Sequence, residues 1–162
     1  MLNVKNAEIA DLEQIMKIYR YAQDYMIKSG NPTQWGHFYP DADLIKSDID
    51  KNACKVIYDK DGIHGVFALF DGTEPTYEHI EGGNWLNEEP YLTIHRLAGD
   101  GQVHGLFPCA LNYCKKISLN IRVDTHADNK TMQRLIEKNG FIKCGTIYVK
   151  NGTARIAYQK IV

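Results

Sequence analysis

The sequence predicts one α/β domain of seven strands and four helices, in the order β-α-α-β-β-β-α-β-α-β-β. Three observations carry this prediction. Apolar residues recur at helical spacing in four stretches. β-rich runs flank two turn dipeptides, Asp61-Gly62 and Asn151-Gly152. The chain has 162 residues without a repeat, low-complexity tract or linker, which suits a single domain spanning 1–162.

The elements follow in order. "NVKN" reads as a short first strand. Ile9, Leu12, Ile15, Met16, Tyr19, Ala22 and Met26 then mark an amphipathic helix over about residues 8–28, stopped by Ser29-Gly30-Asn31-Pro32. A looser helix covers about 41–51. "KVIYDKDGIHGVFALF" supplies a hairpin, and "PYLTIHRLA" a fourth strand. After Gly105, the residues Leu106, Ala110, Tyr113, Cys114 and Ile117 return to helical spacing, with Pro108 in the first turn where a missing N–H costs little. "LNIRVDTH" alternates as a strand. The next helix takes Asp128 as N-cap, buries Met132, Leu135 and Ile136, and ends at Gly140. "TIYVKNGTARIAY" closes the chain as a hairpin.

Composition narrows the function. At 44% hydrophobic and 24% charged residues, the chain matches globular proteins rather than disordered ones. A net charge of -1 with no basic stripe argues against nucleic acid as a partner. The N-terminus is too polar for a signal peptide, and the longest apolar stretch, Val66 to Phe70, is far short of a membrane span. Cys54, Cys109, Cys114 and Cys144 form no CxxC pair and read as reduced thiols of a cytoplasmic protein.

Two constellations carry chemistry. Asp124-x-His126-x-Asp128 would share one strand face and suit a metal, but a helix starting at Asp128 spoils that alignment, so no metal is expected. "HRLAGDGQVHGLFP" is a strand breaking into a glycine-bearing loop and then a helix. Such a loop offers backbone N–H groups and a positive dipole end to an anion such as pyrophosphate.

The element order, this loop, and "DNKTMQRLIEKNGF" after the fifth strand together resemble the GNAT superfamily of N-acetyltransferases over nearly the whole chain. The family's phosphate motif, Q/R-x-x-G-x-G/A, falls on Gln102, Gly105 and Phe107. Phe107 departs from it. The second motif, N-x-x-A-x-x-L-Y-x-K-x-G-F, falls on Asn129, Met132, Leu135, Ile136, Lys138, Gly140 and Phe141. Ile136 stands where many members carry a tyrosine that protonates the departing thiolate.

The resemblance implies a central mixed, mostly antiparallel sheet flanked by four helices and splayed between strands 4 and 5, where acetyl-CoA binds. Leu97 and Ala98 would pair with pantetheine amides, and Gln102, Val103, His104, Gly105, Leu106 and Phe107 would surround the pyrophosphate. Asn129 and Met132 would flank the cofactor. No metal is implied. An amine of pKa near 10.4 is only about 0.1% free base at pH 7.4, a penalty of roughly 4 kcal/mol, so a general base is useful. His95 matches a histidine used as a base in arylalkylamine N-acetyltransferases; His126, at a strand end, is the second candidate. Between Asp71 and Glu89 there are six acidic residues and no Lys or Arg. With Trp35, Tyr39, Tyr77 and Trp85 they suit a cationic amine, a small molecule or a peptide. A homodimer is an allowed assembly. The alternative function is a catalytically degenerate acyl-CoA-binding sensor or interaction module.

Overall fold

The computed structural model describes residues 1–162. Its strands are β1 (Asn3–Asn6), β2 (Cys54–Asp59), β3 (Gly62–Asp71), β4 (Leu92–Gly99), β5 (Asn120–Thr125), β6 (Ile142–Tyr148) and β7 (Ala154–Ile161). Its helices are α1 (Leu12–Lys28), α2 (Ala42–Asp50), α3 (Leu106–Lys115) and α4 (Lys130–Lys138), with short 3-10 turns at Ile9–Asp11 and Pro75–Tyr77. The strands form a seven-stranded mixed sheet in the order β1-β2-β3-β4-β5-β7-β6. Residues Met1–Leu69 with His95–Tyr113 form one compact unit, and Phe70–Ile94 with Cys114–Val162 form a second.

In the first unit, the helical period of α1 places Ile15, Ile18, Tyr19, Ala22 and Met26 on its buried face. Asp11 accepts from the Glu8 backbone N–H at 2.9 Å at the entry, and Gly30 at φ +92° follows the last turn. The apolar stripe packs with Ile45 and Ile49 of α2 and with Cys54, Val56 and Val66 of β2 and β3. Each fully buried side chain of this size contributes about 1.5–3 kcal/mol. Asp41 caps α2 by accepting from the Leu44 N–H at 2.9 Å. β1 and β2 pair antiparallel, as do β2 and β3 around the Lys60-Asp61 turn.

In the second unit, β5 and β6 both pair antiparallel with β7, and the start of β4 pairs in parallel with β5 at Leu92↔Ile121 and Thr93↔Arg122. The long connection ahead of β4 is held by polar and aromatic contacts. The Arg122 guanidinium lies 4.1 Å from the Trp85 ring centroid and 3.9 Å from that of Tyr91, and donates to the Asn87 carbonyl at 2.8 Å. Gln159, fully buried, donates to Asn120 Oδ1 at 2.7 Å and Asn87 Oδ1 at 3.0 Å, and accepts from the Leu86 N–H at 2.8 Å. These residues come from separate parts of the sequence, so local pattern does not reveal the network.

Helix α4 begins one residue later than the sequence suggests. Asn129, not Asp128, is the N-cap, its Oδ1 accepting from the Met132 N–H at 3.0 Å. Gly140, at φ +84°, closes the helix as expected, with the Phe141 N–H directed to the Ile136 carbonyl.

Beside β6, Glu81 and Thr146 exchange backbone hydrogen bonds at 2.9 and 2.8 Å. A Cβ added at Gly83 would lie 1.9 Å from the Cys144 carbonyl oxygen. Gly83→Ala should therefore destabilise the protein by about 1–3 kcal/mol, the usual cost of overpacking against backbone. A lowered urea midpoint at unchanged slope checks it; an unchanged midpoint would mean that the 81–83 segment is not held against β6.

Candidate active site

Strand β4 carries a backbone irregularity. Arg96 has φ +54°, a left-handed conformation that costs a residue with a Cβ about 1–2 kcal/mol. Tertiary contacts hold it there. Its carbonyl accepts from the Tyr19 hydroxyl at 2.9 Å. Its guanidinium meets the Asp48 carboxylate and donates to the Tyr39 hydroxyl at 3.2 Å. Asp48 and Tyr19 are buried. Burial works against the guanidinium's charge, but Tyr39, Asp48 and Tyr19 outweigh it, so Arg96 remains cationic. A left-handed residue inside a strand re-aims the backbone groups after it, here those of Leu97 and Ala98. His95, half-buried, immediately precedes the irregularity.

Aromatic rings surround the same anchor. Trp35 lies edge-on to Tyr19, with centroids 5.7 Å apart, and to Tyr39 at 6.4 Å. The Tyr39 carbonyl accepts from Gln23 at 2.8 Å, while its ring stays exposed. Of the four aromatics expected at the acceptor site, Trp35 and Tyr39 thus share a neighbourhood with the β4 irregularity.

After β4 the chain turns through Asp100–Gly105 into α3. Asp100 organises the turn. One carboxylate oxygen accepts from the Gln102 N–H at 2.9 Å; the other lies 2.8 Å from His64 Nδ1. Gly101 has φ +76°, and a Cβ there would lie 2.2 Å from the Tyr21 hydroxyl. Gly105 has φ +85° and borders open space. Its carbonyl accepts from the Cys109 N–H at 3.0 Å, so α3 starts here, with first-turn N–H groups that have no intrahelical acceptor. Gln102, His104 and Gly105 are exposed, and Val103 and Leu106 half-buried. Open space, a left-handed glycine and a helix N-terminus suit the pyrophosphate of a nucleotide cofactor.

Phe107, the departure from the phosphate motif, is only 3% exposed. Its ring goes into the core and takes no room in the loop.

The remaining predicted site residues belong to the second unit, and their placements are less favourable to the roles expected of them. His126 Nδ1 accepts from the Asp128 N–H at 3.0 Å, leaving the proton on Nε2. Burial and the Arg155 charge hold this imidazole below its ordinary value. This Nδ1 contact ties the ring to the turn after β5. Asp124 accepts from the Tyr77 hydroxyl at 2.6 Å. Tyr77 is 1% exposed, so it builds core; its carbonyl accepts from the N–H of the half-buried Trp85 at 2.8 Å. Asn129 uses its oxygen as the α4 cap, and Met132 follows it half-buried. Ile136 is buried, so a tyrosine's absence there leaves no gap. Tyr148 and Tyr158 each donate to a carboxylate, Glu81 at 2.8 Å and Glu137 at 3.1 Å. Burial, with Glu137's help, pushes the Tyr158 phenol up to about 12.

Sequence reasoning missed Tyr19, Asp48, Arg96, His64 and Asp100. For Asp48 a signal existed: a carboxylate on the face of α2 that carries Ile45 and Ile49 needs a buried cation. Nothing local marks Arg96 as left-handed.

The anchor predicts a graded response. Asp48→Ala leaves a buried guanidinium without its carboxylate and should cost about 3–5 kcal/mol. Tyr19→Phe leaves a buried carbonyl without its donor and should cost about 1–3 kcal/mol. Urea unfolding of both variants checks this; equal, negligible losses would show that β4 holds its shape without them.

No family model and no curated protein sequence matches this chain. Solved structures do. A GNAT-family acetyltransferase from Streptococcus agalactiae 2603 is 30% identical, with 99% of this chain and 95% of that one covered, at a TM-score of 0.90. A candidate acetyltransferase from Staphylococcus aureus Mu50 is 27% identical over 98% of this chain and 97% of that one, at 0.70. A GNAT-family acetyltransferase from Listeria monocytogenes 4b F2365, 19% identical over 99% and 95%, shares the fold at 0.72. With its strand order, its left-handed β4 residue and its glycine loop entering α3, the chain belongs to the GNAT family of acetyltransferases.

Proposed function

We propose that this protein transfers an acetyl group from acetyl-CoA to the primary amine of a small cationic acceptor, by direct attack without a covalent enzyme intermediate. One observation carries the reading: within a single compact unit, β4 re-aims its backbone at Arg96 and then runs straight into an anion-suited loop at the α3 N-terminus.

In this reading the loop from Gln102 to Leu106 holds the pyrophosphate through backbone N–H groups and the helix dipole. The backbone of Leu97 and Ala98 pairs with the pantetheine amides as an added strand would. A β4 N–H polarises the thioester carbonyl, strengthening as negative charge grows on that oxygen. His95 takes one proton from the acceptor ammonium, the freed nitrogen bonds to the carbonyl carbon as the carbon–sulfur bond breaks, and the second nitrogen proton passes through water to the departing sulfur. A thiol of pKa near 8.5 leaves as thiolate at a cost of little more than about 1 kcal/mol, so water suffices as proton donor. That suits a chain whose Tyr148 and Tyr158 protons are both directed at carboxylates. The acidic 71–89 segment and the Trp35–Tyr39 pair support a cationic acceptor.

The test is thiol release from acetyl-CoA with panels of cationic and neutral primary amines. Turnover with cationic amines supports the reading; binding of coenzyme A without thiol release from any panel would make the chain a binding module. Two variants locate the parts. Gly105→Asp sets a carboxylate and a strained Cβ against the loop, and should weaken coenzyme A by at least about tenfold in calorimetry. Unchanged affinity in a folded variant would move the site off this loop. His95→Ala should lower kcat/KM by roughly two orders of magnitude while coenzyme A affinity stays unchanged. A wild-type rate in that variant would remove His95 from the chemistry.

A further inference from the structure

His64, on β3, has both ring nitrogens against carboxylates. Nδ1 lies 2.8 Å from Asp100 Oδ2, and Nε2 lies 3.0 Å from Asp59 Oδ1. Neither carboxylate can donate when ionised, so the ring satisfies both only as an imidazolium donating twice. The side chain is nearly enclosed, at 9% accessible, and the Asp100 and Asp59 side chains are 10% and 18% accessible. Backbone ties complete the arrangement. The Asp100 N–H donates to the His64 carbonyl at 2.9 Å, and the Asp61 N–H donates to Asp59 Oδ1 at 2.8 Å. Asp100's other oxygen holds the Gln102 N–H.

We propose that His64 is a positioning residue for the cofactor loop: it bridges the β2–β3 hairpin to Asp100, fixes the carboxylate that holds Gln102, and so sets the turn that receives coenzyme A. The inference rests on the coenzyme A reading of the loop. It differs in kind from the backbone contacts, because His64 touches no cofactor and acts through Asp100.

Charge makes the bridge dependent on pH. The hydrogen bond that the ring donates to Asp100, opposed by burial and joined by that to Asp59, raises the His64 value above the ordinary one. The charged groups around it are Asp59 and Asp100 on either side and Asp61 at the hairpin turn, the last paired with Lys60; the N-terminal amine also bears on Asp59. A cleft of about 400 Å³ bordered by Gln14, Asp61, His64 and Gln102 gives solvent a route to the ring. A raised value means that the bridge is complete below histidine's ordinary value, about 6.5, and is lost as pH rises through the higher folded value.

The experiment is calorimetric titration of coenzyme A into the full-length protein from pH 6 to 9, with His64→Asn and His64→Gln beside the wild type. Asn places a donor where Nδ1 stands and keeps the bond to Asp100; Gln places one where Nε2 stands and keeps only the bond to Asp59. At pH 6, His64→Gln should weaken coenzyme A by about tenfold and His64→Asn by no more than about threefold. The wild type's advantage over His64→Asn should shrink as pH rises; the ligand's own phosphate titration is common to both and cancels. With acetyl-CoA and amine saturating, kcat should stay unchanged, so the effect falls on KM alone. If both variants lose only thermal stability and bind coenzyme A like the wild type, His64 merely braces the hairpin and the proposal fails. If the wild type itself binds no coenzyme A, the proposed function fails and this inference goes with it.

Discussion

The fixed point of the candidate site is Arg96, a residue held in a conformation its own backbone disfavours. Isolated, a β4 strand would place position 96 in the extended region and alternate its side chains regularly. The cost of the left-handed turn, about 1–2 kcal/mol, is offset by a phenol on its carbonyl and a buried carboxylate on its guanidinium. Those partners come from α1 and α2, whose own positions follow from ordinary amphipathic packing. The hydrophobic core therefore fixes two helices, the helices fix one irregular residue, and that residue decides which way the strand presents its N–H groups. Chemistry needing a preorganised donor depends on this hierarchy, since a donor that must reorganise as charge develops is worth far less.

Both compact units use the same device to hold irregular backbone. In the first, Asp48–Arg96 and Asp59–His64–Asp100 bind a strand bulge and a turn to neighbouring elements. In the second, Arg122 between two aromatic rings and the Gln159–Asn120–Asn87 cluster hold the long segment before β4. Apolar burial is non-directional and would tolerate several placements of such segments. Buried donors and acceptors do not, because each misplacement leaves a group unsatisfied at a cost of about 1–3 kcal/mol.

This division explains what the sequence disclosed. Its helices and strands are written in local period; Asn151-Gly152 sits where the last hairpin turns, while the first turns at Lys60-Asp61, one residue before the dipeptide Asp61-Gly62. The loop into α3 was legible because Gly101 and Gly105 are required by backbone conformation. Side-chain roles were not. Tyr77, now in the core, read as a ligand surface because composition cannot separate an aromatic on a core from one on a cleft. His126 looked like a base by its position at a strand end, yet its lone pair goes to a backbone N–H two residues later. Asp128 looked like a cap, but Asn129 beside it serves equally well by propensity, and its oxygen is the one that accepts from the Met132 N–H. Arg96 was invisible, since the preference it violates is overridden by contacts 48 and 77 residues away in sequence.

Phe107 shows which part of a family motif is physically necessary. The motif asks for a small residue there, and a large one ought to crowd an anion. The ring instead turns into the core. The branched end of Leu106 fits over two glycines, and a Cβ at Gly99 would meet Leu106 Cδ1 at 2.4 Å, while one at Gly65 would meet Cδ2 at 3.0 Å. Phe107, the next residue, is 3% exposed. The loop then needs glycine at 105, where φ is +85°, and not at 107. Glycines at 65 and 99, on β3 and β4, leave the room that the Leu106 side chain occupies at the helix start.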